Sequence, residues 1–317
     1  MTRMKHSENV IAALESIQSA ARSRIAASWR RSFEHHGLDP NTRREQNVAT
    51  EHELLLLREK ADDLLHIAAC RIDQLFGLVG SSGCTVVLTD AAGFILDQRS
   101  NDADADDFAN WGLMQGANWS EGSQGTNGIG TCIAEDRQVI IHRDQHFFAK
   151  NTAMSCIGSP IYGAQGELIG ALDISSARID QTENLNKLIA ASVVQTAKQI
   201  ETETFRAAFP NERVVIAADT TVDQSALVAV DSNDCIVGAT RAARKLYGWA
   251  GDGDIKPVAA TDLFVDNAQH RGFSRAEKAA VMKAIIRADG NMSVAAKALG
   301  VGRATLYRRM NRLGIKR

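Results

Sequence analysis

The sequence predicts an α+β body followed by an all-α C-terminal segment. Three observations carry this reading. Short apolar runs bounded by Gly, Asp or Ser recur between residues 84 and 176. Apolar residues at helical spacing mark 61–79 and 181–208. Three helix-length stretches then close the chain after residue 272. At 317 residues there is room for two domains, or three small ones.

The elements follow in order. IAALESIQSAARSRIAASW reads as an amphipathic helix, because Glu15, Arg22 and Arg24 interrupt what a signal peptide would keep apolar. No stretch approaches the roughly eighteen apolar residues of a spanning helix, so a cytoplasmic protein without membrane contact is expected. ADDLLHIAACRIDQLFGLV is a helix; CTVVLTD, GFILDQR, RQVIIHR, SCIGSPIYG and GELIGALDIS are strands of a mainly antiparallel sheet. Asp90-Ala91-Ala92-Gly93 and Gly163-Ala164-Gln165-Gly166 read as hairpin turns. The long helix of 181–208 bears a stripe of Leu185, Leu188, Ile189, Val193, Ala197 and Ile200, suited to packing on its own sheet or on a twin helix. SALVAVDSNDCIVGATRAARKLYGW then gives strand, Asp-rich turn, strand and helix, between loops at Asp219–Asp223 and Gly248–Lys256.

Composition bounds the class. Hydrophobic residues make up 44% and charged residues 23%, which describes an ordinary globular chain. The five scattered cysteines, odd in number and without CxxC spacing, fit neither a disulfide framework nor a zinc knuckle. Charge is informative when divided. Residues 271–317 hold twelve Lys/Arg against Glu277 and Asp289, a balance of +10, whereas the preceding 270 residues stand at −12. Such concentration is the electrostatic footprint of a segment that meets double-stranded DNA.

The pattern of that segment agrees. Ser274 and Glu277 have capping-box spacing, Gly290 stops the first helix, SVAAKAL forms a short second one, and Gly300-Val301-Gly302 turns into RATLYRRMNRL. Leu306, Met310 and Leu313 commit one side of the last helix to packing, and Arg303, Thr305, Arg308, Arg309 and Arg312 occupy the other. This is a helix-turn-helix layout. Residues 290–315 resemble the C-terminal helix-turn-helix of the Fis group. The resemblance places Arg303, Thr305, Tyr307, Arg308 and Arg309 on the recognition helix. Arg303 and Thr305, near its N-terminus, are placed for bases; Arg308, Arg309 and Arg312 for phosphates. Gly302 stands where a polar cap is usual and Tyr307 where a basic residue is expected, so base preference does not transfer. One such helix reads few base pairs, which calls for a homodimer on a two-fold site.

NWSEGSQGTNGIGTC, residues 118–132, holds four glycines and invites a phosphate-loop reading. No lysine lies between Asn118 and Asp136, and the spacing fits neither GxxxxGK[ST] nor GxGxxG. A structural turn feeding a helix suits it better, with Ser120, Thr126 and Asn127 bonding local amides. LTDAAGFILD, GANWSEGSQGTNGIGTC, IHRDQHF and SCIGSPIYGAQGELIGALDISS, together with SWRRSFEHHGLDP upstream, resemble the GAF sensor and lead-in segment of acetoin-catabolism-type (AcoR-like) transcription regulators. The resemblance implies a small-effector pocket and transcriptional control. Regulators of this type carry a central AAA+ ATPase that this chain, with no Walker lysine, is expected to lack, so it would act by recruiting RNA polymerase or by occupying DNA. The expected division is 1–58 an N-terminal helical segment, 59–180 the GAF-like sensor, 181–208 a linking helix, 209–270 a small PAS-like connector and 271–317 the helix-turn-helix.

The candidate effector contacts are Trp119, Glu121, Thr126, Asn127, His146 and Cys156, with Trp111 a further aromatic candidate. His146 and Cys156 enter this set through the resemblance. No cofactor is required, although His142, His146, Cys132 and Cys156 leave a metal, heme or redox sensor open as the alternative. On a helix, His142 and His146 would share a face. The chain is not expected to be an enzyme; a thiol oxidoreductase would need a resolving cysteine that spacing does not identify. A purely architectural DNA-binding protein is the remaining class.

Overall fold

A computed structural model describes residues 5–15, 23–42, 45–176, 178, 182–217, 225–249, 251–256, 258–263, 273–288 and 290–315. The chain divides into two compact units, residues 1–259 and 260–317.

The first unit opens with α1 (His6–Glu15) and α2 (Arg24–Arg30), the latter running into a π-helical turn at Arg31–His35. The single helix expected across 11–29 is corrected at Ser23. There the backbone is extended (φ −134°) and the hydroxyl accepts the Ala26 N–H, so α2 starts afresh on its own cap. Helix α3 (Glu51–Lys60) begins on a Thr50/Glu53 capping box, and α4 (Asp62–Val79) follows almost at once.

Five antiparallel strands come next: β1 (Cys84–Asp90), β2 (Ile95–Arg99), β3 (Val139–His142), β4 (Ser155–Tyr162) and β5 (Leu168–Ser176), in spatial order β2-β1-β5-β4-β3. Both expected hairpin turns form. The Asp90 carboxylate accepts the Ala92 and Phe94 amides, and Gly93 takes the positive φ that closes the first turn. Helices α5 (Asp102–Asn110), α6 (Glu121–Gln124) and α7 (Gly128–Glu135) lie between β2 and β3.

Alternation along the strands divides the sheet into two faces. On one face Cys84, Val86, Leu88, Ile157, Ile161, Leu172 and Ile174 pack against α4 and α8 (Glu183–Ala208). Ile189, Val193, Ala197 and Ile200 supply the α8 side of that core. The stripe on α8 is therefore split: these residues pack on their own sheet, whereas Leu185 and Leu188 are exposed. On the other face Val87 and Cys156 join Trp119, Ile129 and Met154, and α7 lies across β4 and β5.

A second, four-stranded sheet completes this unit, with β6 (Arg213–Ile216), β7 (Leu227–Val230), β8 (Cys235–Ala239) and β9 (Val258–Ala259) in sequential order and α9 (Arg241–Tyr247) after β8. The expected strand–turn–strand–helix is present; β6 and β9 extend it beyond what the sequence suggested. The Asp219–Asp223 loop lies outside the described residues. Arg241 joins the two sheets: it pairs with Asp136, lies 4.7 Å over the Tyr162 ring and donates to the Gly166 carbonyl.

The second unit contains a short α10 (Ala260–Leu263) and then α11 (Phe273–Arg287), α12 (Met292–Ala298) and α13 (Arg303–Arg312). Val281, Ala284, Ala295, Ala296, Leu306, Met310 and Leu313 form its core. Gly290 (φ +79°) and Gly300 (φ +64°) adopt the left-handed conformation that ends a helix. The Ser274 side chain, and with it the proposed capping box, lies outside the described residues.

Candidate functional site

Two places carry the candidate residues. The first is the glycine-rich segment, which turns out to be a hydrogen-bonded and close-packed lining. The Asn127 side chain accepts the Gly130 N–H, which caps α7, and donates to the Trp119 and Gly125 carbonyls. A Cβ at Gly130 would fall on the backbone of Ser120 and Glu121, and one at Gly125 would strike Phe147. These glycines allow close approach of chain to chain, which answers the phosphate-loop question in favour of structure.

Beside them sits a buried carboxylate. Glu121 accepts from Thr131 Oγ1 (3.0 Å), from Ser28 Oγ, and from the Arg31 guanidinium through Nε and Nη2. Ser28 Oγ is also 2.7 Å from Thr126 Oγ1. The carboxylate holds Arg31 above its ordinary value. The N-terminal helices are stitched on further by His6, which donates from Nε2 to the His146 carbonyl (2.9 Å), and by Trp29, which donates to Gln145 O (2.8 Å). Sequence reasoning noted the SWRRSFEHHGLDP stretch but missed its role: Ser28 and Arg31 complete the Glu121 site. No spacing signal links Glu121 to Ser28 and Arg31, which lie 93 and 90 residues away.

Behind α7 runs a second polar line. His146 Nδ1 lies 2.9 Å from the Arg143 carbonyl and so donates its proton there, which leaves Nε2 as acceptor 3.3 Å from Cys156 Sγ. Ser175 Oγ is 3.1 Å from the same sulfur and donates to Asp173 Oδ2 at 2.7 Å. Burial lowers His146 to about 4, so the ring is neutral, and the same burial, aided by the Asp173 charge, pushes the Cys156 thiol up. A neutral thiol facing a neutral imidazole lacks the thiolate that redox or nucleophilic chemistry needs.

The placement of each candidate can now be stated. Glu121, Thr126 and Asn127 come together around α7, with Trp119 donating from Nε1 to the Gly112 carbonyl at 2.9 Å. His146 and Cys156 meet directly. Trp111 packs edge-on to Phe108, as a core residue does. In the alternative set, His142 ends β3 and turns to Ser155 Oγ (2.7 Å) and Asn186 Nδ2 (3.2 Å) instead of sharing a helical face with His146. The reason is local: a 3-10 turn at Arg143–Gln145 separates them, with the Gln145 side chain holding the His142 N–H. Cys132 is buried on α7. Among the described residues, no group of three or more His, Cys, Asp or Glu is arranged to hold a metal ion, so the metal-sensor alternative is not supported. Asp173 and Ser175, in a run read only as a strand, were not singled out from the sequence.

The second place is α13. Leu306, Met310 and Leu313 are buried against α11 and α12, while Arg303, Arg308 and Arg312 are exposed and Thr305 and Arg309 half-buried. Gly302 caps the helix without a side-chain bond, and Arg303 lies 5.7 Å over the Tyr307 ring. Arg309 pairs with Glu277 at 3.3 Å, and Arg312 pairs with the same acid. Two of the expected phosphate contacts are therefore engaged within the three-helix unit.

Comparison with known proteins agrees with this division. Residues 4–202 match the model of the MimR N-terminal domain, and residues 273–313 match the Fis family of bacterial regulatory proteins. The acetoin catabolism regulatory protein of Cupriavidus necator is 31% identical over 224 residues, 69% of this chain and 34% of that protein. The propane 2-monooxygenase operon transcriptional activator MimR of Mycolicibacterium smegmatis is 29% identical over 180 residues, 55% of this chain and 28% of that protein. The chain thus spans about a third of the length of these curated relatives or less. A chain in the crystal structure of the E. coli DhaR(N)–DhaL complex superposes with a TM-score of 0.53 at 16% identity, covering 82% of this chain and 86% of that one, which shows a shared fold. The match through residue 202 takes in α1, α2 and α8 along with the first sheet, so the chain belongs to the MimR N-terminal-domain family and carries a Fis-family helix-turn-helix at its C-terminal end.

Proposed function

We propose that this protein is a cytoplasmic, effector-responsive transcription regulator in which a GAF-type sensor at 59–180 governs a dimeric Fis-type helix-turn-helix. The observation that carries the proposal is the two-sided α13, apolar toward its core and cationic outward, within the segment that matches the Fis family. Arg303 and Thr305 read bases, with Tyr307 set beneath Arg303; Arg308 holds phosphate, and Arg309 and Arg312 reach phosphate when Glu277 releases them. Residues 209–270 act as a small PAS-like connector. The four-stranded sheet of β6 to β9 lies within that stretch and supports a reading in which regulation proceeds without an ATPase, by DNA occupancy or contact with RNA polymerase. The names of the relatives, an acetoin catabolism regulatory protein and an activator of a propane 2-monooxygenase operon, support a small organic effector. Neutral, buried Cys156 and His146 favour this over an enzyme.

The test is DNA binding by the full chain, on a duplex from the promoter region of its own gene and on a random duplex. Arg308→Ala should weaken both and reduce the salt slope by about one ion. Arg303→Ala should also narrow the difference between the two duplexes. Unchanged affinity in both variants would sink the assignment of α13, and full affinity after removal of residues 271–317 would sink the whole reading.

A further inference from the structure

We propose that Asp173 is the polar floor of the effector site and receives a hydrogen-bond-donating group, an alcohol hydroxyl or an ammonium, from a small ligand. The inference rests on the sensor reading above and adds the chemistry of the ligand. Along β5, Leu172 and Ile174 enter the core under α4 and α8, which directs Asp173 and Ser175 to the opposite face, beneath α7. Asp173 stands in register between Val87 and Gly158 and is fully buried. Its Oδ2 accepts from Ser175, whereas Oδ1 has no hydrogen-bond partner. A Cβ at Gly128 would collide with that oxygen, so glycine is what lets the start of α7 lie this close to the carboxylate.

A lone buried carboxylate is costly, and among the described ion pairs none involves Asp173. Burial accordingly raises its acid to about 7. An asparagine or an aliphatic residue would make a more stable sheet, so the acid has a purpose other than stability. Two further buried side chains in the same unit lack partners: Gln124 through Oε1, at the end of α6, and Asn151 through both amide atoms, in the turn that leads into β4. A donor on the ligand satisfies Asp173 Oδ1; a ketone or carboxylate, which only accepts, leaves the ionised Asp173 unpaired. The adjoining apolar cluster of Val87, Trp119, Ile129 and Met154 suits a short hydrocarbon body.

Thermal unfolding of the full chain at pH 8 tests this. The probes are 1-butanol, 1,2-propanediol and 1-butylamine against butanone and butyrate, each at tens of millimolar. Donor-bearing probes should raise the midpoint of wild type by about 2 °C or more and have no such effect on Asp173→Asn. The ranking of probes on wild type decides by itself should Asp173→Asn fail to fold. Stabilisation that persists in Asp173→Asn, or butanone and butyrate matching the donors, would overturn the role of Asp173 and leave the sensor reading standing. Stabilisation by none of the probes would overturn the proposed ligand class; an effector-independent DNA affinity in cell extract would separately remove the sensor.

Discussion

Glu121 and Glu277 are both acids held by arginines, yet they stand in opposite regimes. The Glu121 side chain is 2% exposed and is shared by Arg31, Ser28 and Thr131. The Glu277 side chain is 22% exposed and bridges Arg309 and Arg312 across the surface of a small three-helix core. In the first region burial makes each polar group expensive unless it is satisfied, so loss of one partner is costly. In the second, water competes for every charge, so the pairs contribute little to stability and remain available to a phosphate backbone. The comparison teaches that the first unit fixes an ion pair in its interior, whereas the second keeps exchangeable charge at its surface.

Four experiments sharpen or break that contrast. Asp173→Asn should show the largest effect, and in the stabilising direction. The acid titrates at about 7 in the folded chain against roughly 3.9 when unfolded, so its ionisation lowers stability as pH rises between those values. The upper limit of the penalty above pH 7 is about 4 kcal/mol. The variant should therefore melt higher than wild type at pH 8, with the advantage gone by about pH 4; an advantage flat across that range would show that Asp173 is not the titrating group. Arg31→Ala should cost about 3 kcal/mol in the denaturant transition of the first unit, because it strands a buried carboxylate. A loss below about 1 kcal/mol would erase the distinction between the two regions. Asn291→Ala removes the side chain that accepts the Ser293 and Val294 amides at the start of α12, and should cost about 1 kcal/mol in the helical melt of the second unit. Glu277→Gln should change stability by less than about 1 kcal/mol. It should nevertheless tighten DNA binding at low salt, since Arg309 and Arg312 lose their internal partner, and the gain should fade as salt rises. Unaltered DNA binding would mean that these two arginines do not reach the duplex.

Much of the architecture was legible before the structure. All five strands of the first sheet, both hairpin turns and the three C-terminal helices follow from apolar period and from Gly and Asp punctuation. The split stripe of α8 was not, because Leu188 and Ile189 are equally apolar and only packing against α4 buries one and exposes the other. Strands β6 and β9 were too short or too weakly patterned to stand out, and β9 has two residues. The break at Ser23 was hidden inside a stretch of good helix formers. The six candidate effector residues are buried, and their polar atoms are engaged with the chain itself. Those left without partners, at Asp173, Gln124 and Asn151, were unremarkable as sequence.

By itself the sequence determined what depends on order along the chain: element types, the turns between them, the +10 tail and the cationic side of the final helix. Only the tertiary structure decided which charges are spent internally and which are free to act. Arg31 meets Glu121 from 90 residues away, and Asp173 meets Ser175 and Cys156 on a face that α7 covers. The physical reason is that the strength of a charge or hydrogen bond is set by the dielectric around it and by its partners, and both are properties of packing in three dimensions.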